Sequence, residues 1–202
     1  MIYHKWKLIF VGIPKNASTS IHLALKNKTD YHSEGHNHNT IFDEYNQHDE
    51  DVLLQYDSMC VVRNPYDRFY SAWKFNHPHP GPTTVEQFRS SFNDFVKKME
   101  SSNKLNVDLS HPHYWPQYKF VTLNKRIVVD HVLRYESLQN EWNIFQKEWN
   151  ERRSLPYCMN LFLPYENCSQ IKTKWQDVYE PESLQIVYNH YHTDFEIFNY
   201  SK

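Results

Sequence analysis

Residues 8–20 read LIFVGIPKNASTS, and the fold turns on them. Leu8 to Gly12 form a short, branched, apolar run, the pattern of a strand buried on two faces in a parallel sheet. Ile13 to Ser20 then put a lone lysine, an asparagine and three hydroxyls in a row, directly before the helical pattern IHLALKN. A strand that passes through a tight loop into a helix aims several unpaired backbone N–H groups, and the positive end of the helix dipole, at one spot. That spot binds anions. Lys15 adds a full charge, and Ser18, Thr19 and Ser20 add hydroxyl donors. The nucleotide P-loop pattern GxxxxGK[ST] is not met, because Gly12 is followed by no second glycine and no lysine beside the helix start. Magnesium-dependent ATP or GTP chemistry is disfavoured accordingly.

Outward from this stretch, CVVRNPYDRFYSAWKF (residues 60–75) repeats the strand-to-helix step. Ser58 to Val62 read as a second buried strand, with Arg63 at its carboxyl end, Asn64 as N-cap and Pro65 at the first helical position. The expectation is a second anion-binding mouth. RIVVDHVL (Arg126 to Leu133) reads as a third strand. TTVEQFRSSFNDFVKKME (residues 83–100) carries Val85, Phe88, Phe92, Phe95 and Met99 at helical spacing behind a Thr83-x-x-Glu86 capping box. Leu138, Trp142, Phe145 and Trp149 form another such stripe. Pro181 opens a last helix with Leu184, Val187, Tyr188 and Tyr191 facing inward. Strands alternating with helices predict an α/β fold with a central, mainly parallel sheet flanked by helices, as a single domain over residues 1–202. Ligands of such sheets sit at the carboxyl ends of the strands. The long irregular stretches, about 76–82, 101–117 and 154–174, read as lids or binding loops.

The totals narrow the function classes. A net charge of −2 over 202 residues gives no global basic field, so no nucleic-acid partner is expected and any anion site must be built locally. Hydrophobic content of 40% and aromatic content of 16% support a packed core. With 3 glycines, tight turns are expected to rely on Asn, Asp, Ser or Pro. No early apolar run is long enough for a signal peptide or a membrane span, so no membrane partner and a cytoplasmic location are expected. A first strand that begins almost at Met1 points the same way. Cys60, Cys158 and Cys168 read as reduced thiols, with a bridge between the last two left open. The sequence assigns no oligomeric state.

Two motifs together carry a family resemblance. IPKNASTS resembles the 5′-phosphosulfate loop, and VVRNPYDRFYSAW the 3′-phosphate motif R-x-P-x-x-R-x-x-S, of sulfotransferases that use 3′-phosphoadenosine-5′-phosphosulfate (PAPS). HYWPQYKF (113–120), DHVLRYESL (130–138) and YHTDFEIFNY (191–200) are similar to further stretches of the carbohydrate branch, which includes heparan sulfate 2-O- and chondroitin sulfotransferases. The resemblance implies a P-loop nucleotide-kinase-like three-layer fold, PAPS as co-substrate, adenosine 3′,5′-bisphosphate (PAP) as product and no metal. It implies that Lys15 contacts the bridging region of the donor, while Asn16, Ala17, Ser18, Thr19 and Ser20 wrap the 5′-phosphate. Arg63 and Ser71 would hold the 3′-phosphate, with Lys172 or Lys174 reaching back to it.

Sulfuryl transfer to an alcohol needs in-line attack, a base for the hydroxyl proton and positive charge near the departing oxygen. A base that titrates near neutrality favours histidine, and Lys15 supplies the charge. Among 13 histidines, YHSEGHNHNT (31–40) stands out, because the 2-O-sulfotransferase group carries its catalytic histidine in a similar H-x-H between the same two motifs. His38 is favoured, then His36; on an extended segment the two point to opposite faces, so one alone meets the acceptor. A metal site of His32, His36 and His38 is the minor alternative. His111, His113, Tyr114 and Trp115 are candidates for binding a carbohydrate or other hydroxyl-bearing acceptor. A nucleotide or metabolite kinase, and a non-catalytic nucleotide-binding module of the same fold, are the rival readings.

Overall fold

The computed structural model describes residues 1–26, 38–46, 54–77, 84–102, 111–153, 158–164 and 173–202. Six strands occur there: β1 (Ile2–Tyr3), β2 (Leu8–Val11), β3 (Asp57–Val62), β4 (Thr122–Leu123), β5 (Arg126–Ile127) and β6 (His131–Arg134). The helices that matter for the site are α1 (Ser18–Leu25), α2 (Ile41–Asn46), α3 (Pro65–Asn76), α4 (Val85–Ser101), α5 (Leu138–Arg152) and α6 (Pro181–Ile197). The main sheet has the order β1-β2-β3-β6. β2, β3 and β6 run parallel, and β1 is antiparallel at the edge. The result is the expected mixed α/β architecture with a mostly parallel sheet.

The chain divides into two compact units, residues 1–62 with 120–168, and residues 63–119 with 169–202. The first holds the main sheet. Leu8, Phe10, Met59, Val61 and Leu133 on one sheet face pack with Ile21 and Leu25 of α1 and with Trp142, Phe145 and Trp149 of α5. The alternate residues Ile9, Val11, Cys60 and Val62 are buried as well, so these strands are covered on two faces, as their unbroken apolar runs require. The second unit is helical. Tyr66, Phe69, Tyr70 and Trp73 of α3 meet Phe88, Phe92 and Val96 of α4 and Ile186, Val187, Tyr191 and Phe195 of α6 in one aromatic-rich core. Burying side chains of this size contributes roughly 2–3 kcal/mol each.

Four local expectations change. The run 126–133 is two strands, not one: β4 and β5 form a hairpin over Asn124 and Lys125, and β6 alone joins the main sheet. Asp130 separates them, its carboxylate accepting from the Ser58 N–H and Oγ at 2.7 Å each. The capping box of α4 lies one residue later, with Thr84 Oγ1 accepting from Gln87 N–H and Gln87 Oε1 from Thr84 N–H; Thr83 lies outside the described residues. Val85 is exposed in that frame, while Phe88, Phe92 and Met99 are buried. Left-handed backbone falls on Lys7, Lys15, Ala17, Asn124, Lys125 and Asn199, so lysine and alanine take positions expected of turn formers.

Cys60 is buried and Cys158 exposed, both free, and burial pushes the Cys60 thiol far up; Cys168 lies outside the described residues. Among the described residues no helix is long and apolar enough to cross a membrane.

Candidate functional site: an uncapped helix start and an arginine turn

In the first unit, the chain leaves β2 at Val11 and reaches α1 through six residues. Ile13 N–H closes on Val11 O at 3.0 Å and Asn16 N–H on Ile13 O at 3.3 Å, a tight reversal. Buried Asn16 then ties the loop to the next strand, its Nδ2 donating to Val61 O at 2.7 Å. Lys15 and Ala17 take φ of 68° and 59°, left-handed conformations that cost a non-glycine residue about 1–2 kcal/mol each. Alternating left-handed residues turn successive N–H groups to one side, the geometry of an anion nest.

Ala17 is the N-cap of α1 and offers no side-chain oxygen, and no acidic residue stands in the first turn. The first backbone bond of this helix runs from Ile21 N–H to Ala17 O at 3.0 Å. The N–H groups of Ser18 and Thr19 precede it and have no partner within the helix. Asn64 caps α3 and Thr84 caps α4, whereas α5 and α6, like α1, start without a side-chain cap bond. An anion is one kind of group that satisfies such a start, and the positive end of the helix dipole favours it.

His38 belongs to this loop. Its half-buried ring bonds through Nδ1 to Gly12 O at 2.9 Å. A carbonyl only accepts, so Nδ1 carries the hydrogen and the lone pair of the neutral ring is on Nε2, the arrangement of a proton acceptor. The segment after it is held as well, because Glu44 of α2 pairs with the α-amino group of Met1. His36 lies outside the described residues, as does His32. Among the described residues no three His, Cys, Asp or Glu side chains gather as a metal ion would require.

Arg63 opens the second unit. Asn64 Oδ1 accepts from Tyr66 N–H at 3.0 Å and Asp67 N–H at 3.4 Å, with Pro65 at the first helical position as expected. The cap has a consequence for the expected second mouth. These helix-start donors are already satisfied, so this turn offers the Arg63 guanidinium, not the end of α3. Arg63 Nε and Nη2 each stand 2.9 Å from Asp67 Oδ2. Ser71 is half-buried on α3, four residues beyond Asp67 and so on the same helix side. Thr173 Oγ1 meets Tyr70 OH at 2.7 Å and Trp175 stacks on Tyr66 at 5.1 Å, which brings the exposed Lys174 between them to α3. Lys172 lies outside the described residues.

His111, His113, Tyr114 and Trp115 also fall in the second unit, around a single 3-10 turn, Pro112–Tyr114. The His111 and His113 rings are 4.8 Å apart, and His113 meets the exposed Phe75 edge-on at 5.1 Å. Tyr114 turns inward, its ring tilted against Phe69 and Phe95, and burial raises its hydroxyl to about 12.

A group of residues that the sequence reading quoted within its motifs, without giving them a role in the site, holds this segment. Fully buried Gln117 accepts from Arg63 N–H through Oε1 at 2.9 Å and donates to Arg63 O through Nε2 at 2.8 Å. Gln117 N–H and Tyr118 N–H donate to Asp194 Oδ2 and Oδ1, at 2.8 Å each. Arg68 donates to Trp115 O at 2.8 Å, and Tyr191 OH to Tyr114 O at 2.7 Å. Asp194 is buried, which raises its carboxyl to about 6 against the two N–H bonds and the Arg68 charge. A sequence signal existed: Arg68 and Asp194 interrupt the apolar faces of their helices, and buried charges at such places need partners.

A family model described as Sulfotransferase family matches residues 1–201. The chain belongs to the sulfotransferase family. Neither the curated proteins nor the solved structures yield a match to this sulfotransferase. The chemistry to be housed is therefore sulfuryl transfer. An uncapped helix start beside a lysine, and an arginine at a strand end, are donor sets that suit the anionic groups of a sulfuryl donor.

Proposed function

We propose that this sulfotransferase moves the sulfuryl group of PAPS to an acceptor hydroxyl, on a carbohydrate, on a nucleotide-kinase-like P-loop variant. The loop 12–20 carries the proposal: a lysine, a left-handed nest and an uncapped helix start suit a phosphosulfate. Lys15 takes the charge of the departing phosphate oxygen, and Asn16 to Ser20 receive the 5′-phosphate through backbone and hydroxyl donors. Arg63, Ser71 and Lys174 receive the 3′-phosphate. His38, whose Nδ1–H is held by Gly12 O, accepts the acceptor proton at Nε2; His36 is the alternate base. The sulfur–oxygen bond to the acceptor forms as the bond to the phosphate oxygen breaks, and PAP leaves. His111, His113 and Trp115 line the acceptor, while Tyr114 is turned inward against Phe69 and Phe95.

The test is calorimetry and thermal shift with PAP against ATP, without and with magnesium, followed by transfer from PAPS to a panel of glycans and small hydroxyl compounds. Tight binding of PAP without magnesium, and sulfate on a sugar hydroxyl, are expected. Preference for ATP with magnesium would instead mark a kinase, and PAP binding without transfer a non-catalytic module.

A further inference from the structure

We propose that Gln117 and Asp194 are positioning residues that hold the Arg63 turn in the geometry required by the 3′-phosphate of the donor nucleotide. The inference rests on the sulfotransferase reading above and deepens it. Arg63 lies between the end of β3 at Val62 and the start of α3 at Pro65, where the main chain changes direction and its polar groups have to be satisfied. The Gln117 side chain supplies one acceptor and one donor to that single residue, at 2.9 and 2.8 Å. Such a paired amide clamp fixes the peptide planes on each side of Arg63, and with them the direction in which its side chain departs.

Gln117 is in turn held by its own main chain. Asp194 accepts from the N–H groups of Gln117 and Tyr118, one per carboxylate oxygen, and is 0% exposed, as Gln117 is. Arg68, 1% exposed, closes the set by donating to Trp115 O. Burying a carboxylate and a guanidinium costs several kcal/mol in desolvation, and an apolar arrangement of the same volume is often as stable. What the polar arrangement adds is a unique geometry, and the residue at its outer end is the arginine assigned to the phosphate. A guanidinium reads a phosphate through directed bonds, so a turn allowed to rotate loses affinity for that group alone.

The experiment compares adenosine 3′,5′-bisphosphate with adenosine 5′-phosphate, which lacks only the 3′-group, by calorimetry on the full chain. The variants are Gln117→Met, of similar shape but without the amide, and Asp194→Asn, with melting temperatures recorded. The wild type should prefer the bisphosphate. Gln117→Met should lower that preference at least tenfold and Asp194→Asn at least threefold, with the 5′-phosphate affinity within twofold of wild type. Equal losses for the two nucleotides, or an unchanged preference in folded variants, would overturn the positioning role, since a general packing defect does not single out the 3′-phosphate. Should Gln117→Met not fold, Gln117→Glu, which keeps the acceptor for Arg63 N–H, is held to the same ratio. A wild type indifferent to the 3′-phosphate would overturn the donor reading itself, and the positioning role with it.

Discussion

Gln117 grips the main chain of Arg63 from two sides, accepting its N–H and donating to its carbonyl. Fifty-four positions apart in the chain, the two residues behave as one structural unit. The arginine that sequence pattern assigns to a phosphate thus depends on an amide that no pattern of burial or charge would single out. Its side chain is meanwhile occupied by Asp67, so the guanidinium is held in place by an ion pair before any ligand arrives.

Lys15→Gly separates function from stability. Glycine adopts φ of 68° without the strain lysine pays there, so stability is expected to stay level or rise by about 1 kcal/mol. Transfer should fall at least a hundredfold, because the cation beside the departing oxygen is gone. Thermal unfolding and initial-rate assays check the two halves; full transfer would remove Lys15 from the site.

Removal of the base is read in rate and not in binding. His38→Ala is expected to lower kcat by about a hundredfold or more, the usual size of a general-base contribution. PAP affinity should change less than threefold. A neutral imidazole is needed to take the proton, so wild-type activity falls as the solution is acidified, and the variant loses that limb. A retained limb in His38→Ala would transfer the role to another histidine, His36 first.

Buried Asp194 and half-buried His190, both of α6, oppose one another in acid. Burial raises Asp194 from 3.8 to about 6, so the native state holds the proton longer than the unfolded chain; its stabilising contribution is full below the unfolded value and is lost as pH rises through 6. His190 is lowered from 6.5 to about 4, by burial first and then by Lys119; its contribution is present above 6.5 and is lost as pH falls through 4. Denaturant unfolding of wild type and Asp194→Asn should therefore show a difference that shrinks from pH 4 to 6, by at most about 3 kcal/mol. His190→Gln should show the opposite slope. Parallel stability curves for wild type and the two variants would contradict this account.

The hairpin offers a check on the fold alone. Asn124 and Lys125, at φ of 48° and 62°, form a two-residue turn with two left-handed positions, for which Asn-Gly is the best pair. Lys125→Gly should stabilise by about 0.5–1 kcal/mol, or raise the melting temperature by roughly 1–4 °C. A fall in the melting temperature would contradict the turn geometry.

The elements legible in the sequence are those whose cause is local. Val61 and its neighbours announce a buried strand by composition, and Asn64 with Pro65 announces a helix start by chemistry. Where local signals came in duplicate, pattern was indifferent. Thr83 and Thr84, followed by Glu86 and Gln87, allow two capping frames one residue apart, and the structure takes the second. The run 126–133 reads as one strand until the partners of its residues are known. Ser58, 72 positions away, bonds Asp130 and breaks it.

By itself the sequence determined the mostly parallel α/β core, the start of α3 and the two strand-to-helix loops, because strand burial and capping depend on residues within a few positions of one another. Tertiary structure alone decided that His38 meets Gly12 and that Gln117 and Asp194 hold the Arg63 turn. Those are pairings between buried polar groups far apart in the chain. Only the fold brings such groups together, and only there does the cost of leaving them unpaired select the partner.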